Sequence, residues 1–465
     1  MLFSSIPFLY YFLPLVLLCY FCAPNRCKNG VLLVFSLIFY TWGEPIYIVL
    51  MLASIVLAYA EGRLIAAAAT RALSRGVLIA SVAIHLLFLL YFKYVDFFIA
   101  NLNGLGASLP YLRVALPIGI SFYTFQILSY LVDVYRRDCQ PERSIVAFGA
   151  YVSMFPQLIA GPIVRYRDIA LQLRERAHTL EGAAVGARLF VMGLAKKVLV
   201  ANTLGELCAI FGSSQDVSVA YVWLYAAAFT LQIYFDFSGY SDMAVGLGRI
   251  FGFNFPVNFR HPLAASSITD FWRRWHITLG SWFRDYVYIP MGGNRVSRPR
   301  WIFNIAVVWF LTGMWHGAAW NFALWGLFFA VLLVIEKVWL AEFLQKHRVV
   351  SHVYVVVAVL ASFVIFDAAS ASEALRHLQI MFTGAGFDLV SPEFSYYLKS
   401  YAVVLAIAAF GATPAAGMIV GKVRTMRYGQ AVLNIFEPLF LVALLVVCTA
   451  FLIQDSYNPF LYFRF

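Results

Sequence analysis

Apolar runs that approach or reach the ~20 residues needed to cross a bilayer recur along the whole of this chain. Phe8–Cys22, Val77–Tyr91, Tyr221–Tyr234 and Leu433–Ile453 are examples. Lipid offers the backbone no hydrogen bonds, so continuous apolar runs of this length are satisfied by turning each into a helix. A length of 465 residues would suggest about three soluble domains. Composition overrules that count, because 12% of the residues are charged against roughly 25% in ordinary soluble proteins. The expectation is a single all-α, polytopic membrane domain over residues 1–465.

The first run has no positively charged segment before it and no A-x-A-like cleavage site after it, and more runs follow at once. It reads as a retained helix rather than a signal peptide. Six cysteines (Cys19, Cys22, Cys27, Cys139, Cys208, Cys448) are scattered without a paired cluster or a histidine set. They read as small packing residues, with neither a metal site nor a disulfide framework expected. The net charge of +11 sits in short loops beside apolar runs. That is how a membrane protein is oriented, so the partner it indicates is the bilayer and not nucleic acid.

The basic loops alternate. Arg26 and Lys28, then Arg63, Arg71 and Arg75, then Arg136, Arg137 and Arg143, and finally Lys422, Arg424 and Arg427 mark one face. The turns Gly43–Pro45 and Ile99–Leu112 between them carry no Lys or Arg. The basic loops are therefore expected in the cytoplasm, with both termini outside. Ala147–Val164 contains Pro156 and the Gly161-Pro162 pair and reads as a re-entrant or broken helix. Trp301–Trp339 reads as a hairpin whose apex holds Trp315, His316, Gly317 and Trp320. Spans near His352–Phe366, Lys399–Ala412 and Leu433–Ile453 follow, with Asp367–Tyr397 as an external loop.

Within this apolar setting two of only eight histidines follow a tryptophan, Trp275-His276 and Trp315-His316. An imidazole among apolar groups loses solvation for its charged form and stays neutral, which suits it to take a proton from a hydroxyl. His276 lies in Ser266–Tyr288, which reads as an arginine-rich amphipathic helix at the membrane interface, capped by Ser267. Trp272, His276, Leu279 and Phe283 would share one face. An interfacial anchor whose histidine only bonds a backbone carbonyl fits that segment equally well.

Arg260, His261, Arg273, Arg274, Arg284 and Arg295, with the Gly292-Gly293 turn, could grip a phosphorylated donor. Lipid headgroups are the commoner use of such residues. His316 sits between Gly313 and Gly317, a small-xxx-small pair that permits close helix packing. A histidine at that depth is a functional candidate by default, ahead of the alternative of a satisfied core histidine. Asp236 and Asp242 lack the ligand pattern of a calcium loop, and helix capping by Ser241 and Asp242 is expected. Asp133 and Asp138 read as interfacial partners of Arg136 and Arg137. The last residues, Asn458–Phe465, are aromatic enough to fold back and bring the Tyr462 hydroxyl to an external cavity, or to lie in the interface as an anchor.

Several blocks resemble the membrane-bound O-acyltransferase family, in its bacterial alginate and peptidoglycan O-acetylating branch. They are LPIGISFYTFQILSYLVDVY at Leu116–Tyr135, FPQLIAGPIVR at Phe155–Arg165, Tyr234–Gly248, DFWRRWHI at Asp270–Ile277, MGGNR at Met291–Arg295 and WHG at Trp315–Gly317. Met1–Phe21 resembles that branch as well. The resemblance implies a ring of roughly 10–12 transmembrane helices, some re-entrant or broken, around a central catalytic funnel. It makes His316 the essential catalytic residue and His276 its partner, and it makes Tyr462 an acyl carrier. It also implies acetyl-CoA as donor substrate with no permanently bound cofactor, a bacterial inner-membrane location, and an external SGNH-type transferase and polysaccharide acceptor as partners. The expected activity is O-acetylation of an extracytoplasmic polysaccharide. A lipid or protein acyltransferase of the same fold, or a polysaccharide exporter without enzymatic activity, are the alternatives.

Overall fold

The computed structural model describes residues 2–454, and Tyr462 lies outside them. Every regular element among the described residues is helical. Four helices are long and apolar enough to cross a membrane: Ile48–Ala67, Arg71–Gly104, Arg348–Asp367 and Gly429–Gln454. Pro392–Ser400 and Ala402–Gly411, bent by 62° at a short break, make a fifth span if taken together. Phe436, Leu439 and Val442 on Gly429–Gln454 are more than half exposed. A surface of that kind is stable only against lipid. The chain is an all-α polytopic membrane protein.

Contacts divide the chain into two compact units, Met1–Phe190 with Ser241–Pro256, and Val191–Tyr240 with Val257–Phe465. In the first unit, Lys28–Gly43 packs on Ile145–Ser153, and Ile48–Ala67 packs on Arg71–Leu89 and Ile120–Arg136. Phe8, Phe12, Phe39 and Phe155 form its aromatic centre, with ring centroids 5.5–6.2 Å apart for each pair that includes Phe155. The segment expected to be broken is so: Ile145–Ser153 stops at Met154, and a single turn, Phe155–Leu158, carries Pro156 near its start. All of Phe155–Leu158 is buried, so protein covers the irregular backbone as lipid could not. Asp133 is fully buried and faces Arg167, 3.7 Å away, which also reaches Asp138 at 3.7 Å. Arg167, from a segment about thirty residues further on, thus ties this acidic pair together.

The second unit contains the expected hairpin. Arg298–His316 and Trp320–Ile335 are its limbs, and Arg348–Asp367 packs on the second limb. The limbs cross where Gly313 meets Gly326: a Cβ on Gly313 would lie 2.1 Å from the Phe322 carbonyl oxygen, and one on Gly326 2.1 Å from that of Trp309. Gly317 does a different job from the one its spacing suggested, because a Cβ there would strike the Phe322 ring. Tyr234–Gly248 lies wholly inside the helix Val219–Ile250, so Ser241 and Asp242 cap nothing. Asp236 is instead buried against Lys197 at 2.7 Å, a paired charge of the kind an apolar interior tolerates.

Candidate active site

The segment that carries His276 is not one helix. Ile268–Trp272 and Ile277–Phe283 are separated by a turn, and His276 sits at the join with φ 43 and ψ 52. The shared face expected for Trp272, His276, Leu279 and Phe283 therefore does not exist. Left-handed backbone costs a residue with a Cβ ~1–2 kcal/mol, so the surroundings must hold it in place. They do so through Asn258. The backbone of Ile277 donates to the Asn258 carbonyl at 3.0 Å, and Arg260 N–H donates to the Arg274 carbonyl at 3.0 Å. The amide oxygen of Asn258 receives the Thr278 N–H at 3.2 Å, the Thr278 hydroxyl at 2.9 Å, and Nδ1 of His276 at 3.1 Å.

That arrangement fixes the histidine's tautomer. The Thr278 N–H is always a donor, so the atom it meets is the amide oxygen, and an amide oxygen only accepts. His276 therefore carries its proton on Nδ1 and keeps its lone pair on Nε2. Burial, and then the nearby His316, hold its pKa well below the ordinary histidine value, in a turn that lies outside the spanning helices. The ring is a neutral base with a defined direction.

Ser267 caps the preceding turn as expected, accepting from Asp270 N–H at 2.9 Å. A second cap comes from far along the chain. The buried carboxylate of Glu336 receives the Ile268 N–H at 2.6 Å, the Thr269 N–H at 3.1 Å and the Thr269 hydroxyl at 2.6 Å. Three donors on one anion at a helix start fix where the following turn lies.

His316 ends the first limb of the hairpin and is buried. Its ring packs edge-on against Trp315, Trp325 and Phe366, with centroids 5.0, 5.1 and 5.3 Å away. Asn321 donates to the Phe366 carbonyl at 3.0 Å and so holds that wall. Trp315 also meets the His276 ring at 5.7 Å, and Phe237 closes on that same ring at 4.6 Å. The two Trp-His pairs thus converge, with one tryptophan touching both imidazoles.

A cavity of about 920 Å³ opens nearby; Ile277, next to His276, lines it, and neither imidazole does. Arg273, Arg284 and Lys337 supply its cations, and Trp272 and Trp309 part of its apolar wall. Thr312, which also lines it, lies one helical turn before His316. Of the arginines expected to hold a donor, Arg273 and Arg284 line the cavity and Arg274 and Arg295 do not. Arg274 is bonded to Asp270 at 2.8 Å. Arg284 also meets Asp285 at 2.7 Å, which leaves part of its fork engaged. Lys337, whose ammonium lies 4.7 Å from the Trp301 ring, gives no such signal in the sequence, because its place in the same cavity as Arg273 depends on the hairpin's return. Asn258 and Glu336 likewise gave no sequence signal, since their partners are 18–20 and 67–68 residues away.

Residues 140–366 match the model of the membrane-bound O-acyltransferase family. Over its full length the chain is 38% identical to a probable alginate O-acetylase of Azotobacter vinelandii, which is also covered in full. It is 35% identical to a peptidoglycan O-acetyltransferase of Helicobacter pylori over 72% of this chain and 70% of that one. A teichoic acid D-alanyltransferase of Streptococcus thermophilus is 26% identical over 52% of this chain and 60% of its own. The matched region contains both histidines, the turn that aims one of them and the cavity lined by Ile277 and Thr312. The chain is an O-acyltransferase that belongs to the membrane-bound O-acyltransferase family.

Proposed function

We propose that this membrane enzyme takes acetyl groups from acetyl-CoA in the cytoplasm and delivers them for O-acetylation of an extracytoplasmic polysaccharide. An alginate-like exopolysaccharide is the favoured acceptor over peptidoglycan, because the match to the alginate O-acetylase runs the full length of both chains. The observation that carries the reading is the cavity itself: Arg273, Arg284 and Lys337 at its polar wall, and Thr312 one turn from His316. The cations suit the phosphates of a coenzyme, and the apolar wall suits its thioester arm.

In this reading His316 is the general base. It takes the proton of an attacking hydroxyl, that oxygen forms an ester with the acetyl carbonyl, and the thiolate leaves and recovers the proton. His276, directed by Asn258, orients the carbonyl or relays the proton through Nε2. The hydroxyl is that of Tyr462, and an external SGNH-type transferase passes the acetyl group on to sugar. Arg274 and Arg295 remain candidates for the donor at a distance from the cavity wall. The protein resides in a bacterial inner membrane, with both termini outside.

Replacing His316 removes general-base help worth about 10²–10⁴ in rate. His316→Ala should lower acetyl transfer from labelled acetyl-CoA, measured on purified protein in proteoliposomes, by that factor with the protein still inserted. Activity within tenfold of the parent would sink the assignment. Tyr462→Phe tests the relay alone: acetylated polymer at the parental level in cells would reduce the tail to an anchor.

A further inference from the structure

In the first unit, two cationic side chains and an imidazole gather around one tyrosine ring. The Lys28 ammonium lies 5.1 Å from the Tyr20 ring centroid, the Arg176 guanidinium carbon 5.8 Å from it, and the His178 ring 5.6 Å. The Tyr20 hydroxyl donates to the Phe251 carbonyl at 2.8 Å, so its contact with Nε2 of His178, at 2.9 Å, is one in which histidine donates. Asn29 staples the two cationic segments together. Its amide donates to the Leu173 carbonyl at 2.8 Å, and its oxygen receives an Arg176 N–H at 2.6 Å.

What the cluster lacks is an acid. Among the described residues no carboxylate pairs with Lys28, Arg176 or His178, although Lys28 is only 8% exposed. Nη1 of Arg176 is also buried with no hydrogen-bond acceptor among those residues. Buried cations without a counter-charge are expensive, and gathering them adds mutual repulsion. Burial, then Lys28 and then Arg176 hold His178 below the ordinary histidine range, as that crowding requires. Aromatic faces soften the cost of each cation without cancelling it. An entering anion would.

We propose that Lys28, Arg176 and His178 form a binding site for a phosphate-bearing anion. The ammonium and the buried guanidinium edge are the donors such a group takes, the His178 ring closes the side of the site beside Tyr20, and Arg26 and Arg174 add positive charge on the adjoining segments. A phospholipid headgroup and a soluble phosphate share that chemistry. The site stands apart from the acyl-transfer reading, since it uses none of the residues assigned to the reaction.

The test uses the full-length protein in nanodiscs and reads thermal stability and retained ligand. Wild type in phosphatidylglycerol is compared with wild type in phosphatidylcholine, and inorganic phosphate is titrated into the latter. Lys28→Gln and Arg176→Gln are the variants, with the exposed Lys422→Gln as a control for bulk charge. Each site variant should weaken the anion's effect about fivefold, the equivalent of ~1 kcal/mol per removed charge, and the control should leave it unchanged. Stabilisation by phosphatidylglycerol alone assigns the site to a lipid headgroup, and stabilisation by inorganic phosphate assigns it to a soluble one. The proposal is overturned if neither anion distinguishes wild type from the two variants, or if Lys422→Gln behaves as they do. Should Arg176→Gln fail to fold, Lys28→Gln decides.

Discussion

At the scale of single residues, Asn258 decides what His276 can do. Its amide oxygen accepts from Nδ1, so the basic nitrogen is Nε2, and a substitution that changes the acceptor changes the base. Asn258→Asp keeps the geometry but places a carboxylate 3.1 Å from Nδ1. An adjacent negative charge favours imidazolium by about one to three pH units, opposing the burial that keeps the ring neutral. The sign follows directly: with a raised pKa the ring stays protonated to higher pH, so the acid limb of the pH–rate profile should move upward. Asn258→Ala leaves the ring neutral but unaimed, and should lower the rate by up to ~10²-fold without moving that limb. Profiles of the two variants that coincide with the parent would show that His276 takes no part in the reaction. Its candidacy was legible in the sequence, from an imidazole beside tryptophan in an apolar chain. Its tautomer was not, because Asn258 precedes it by 18 residues and meets it only through a turn in the left-handed region.

At the scale of elements, two devices position the site, and they differ in how they announced themselves. The hairpin was readable, since two apolar runs flank a Gly-rich apex, yet its crossing point was not. Spacing paired Gly313 with Gly317, whereas packing pairs Gly313 with Gly326 on the other limb. Gly313→Ala would drive a methyl to 2.1 Å from a backbone carbonyl, which no rotamer change relieves. The cost should exceed the ~1–3 kcal/mol of ordinary overpacking, seen as loss of monodisperse protein on extraction. The second device is Glu336. Glu336→Gln replaces one acceptor oxygen with an amide that points donors at donors, and should cost ~1–3 kcal/mol in thermal unfolding. If the helix Ile268–Trp272 serves to hold the cavity wall, the same variant should raise the KM for the donor more than it lowers kcat. An unchanged KM would confine Glu336 to stability. The broken character of this segment escaped a reading by helical period, because the period continues through Trp275 while the backbone does not.

At the scale of the whole molecule, charge is what orients the chain, and the orientation is testable without reference to the chemistry. The sequence places Arg26, Lys28, Arg63, Arg71, Arg75 and the later basic loops on one face, and the loop Ile99–Leu112 on the other. The helices Ile48–Ala67 and Arg71–Gly104 connect these loops as full-length spans, so a consistent count follows from them. Cys27 is exposed beside Lys28, and Ala107 is exposed in the loop without Lys or Arg. In a background where the other five cysteines are replaced, Cys27 should resist a membrane-impermeant maleimide in intact cells and react only after permeabilisation. Ala107→Cys, with Cys27 also replaced, should react in intact cells. The reverse pattern would turn the whole chain over. The donor would then be confronted by the face assigned to the acceptor, and the transfer direction proposed for His316 would fail with it. Labelling at both positions in intact cells would instead show that Ile48–Ala67 and Arg71–Gly104 do not span as their length and apolarity require.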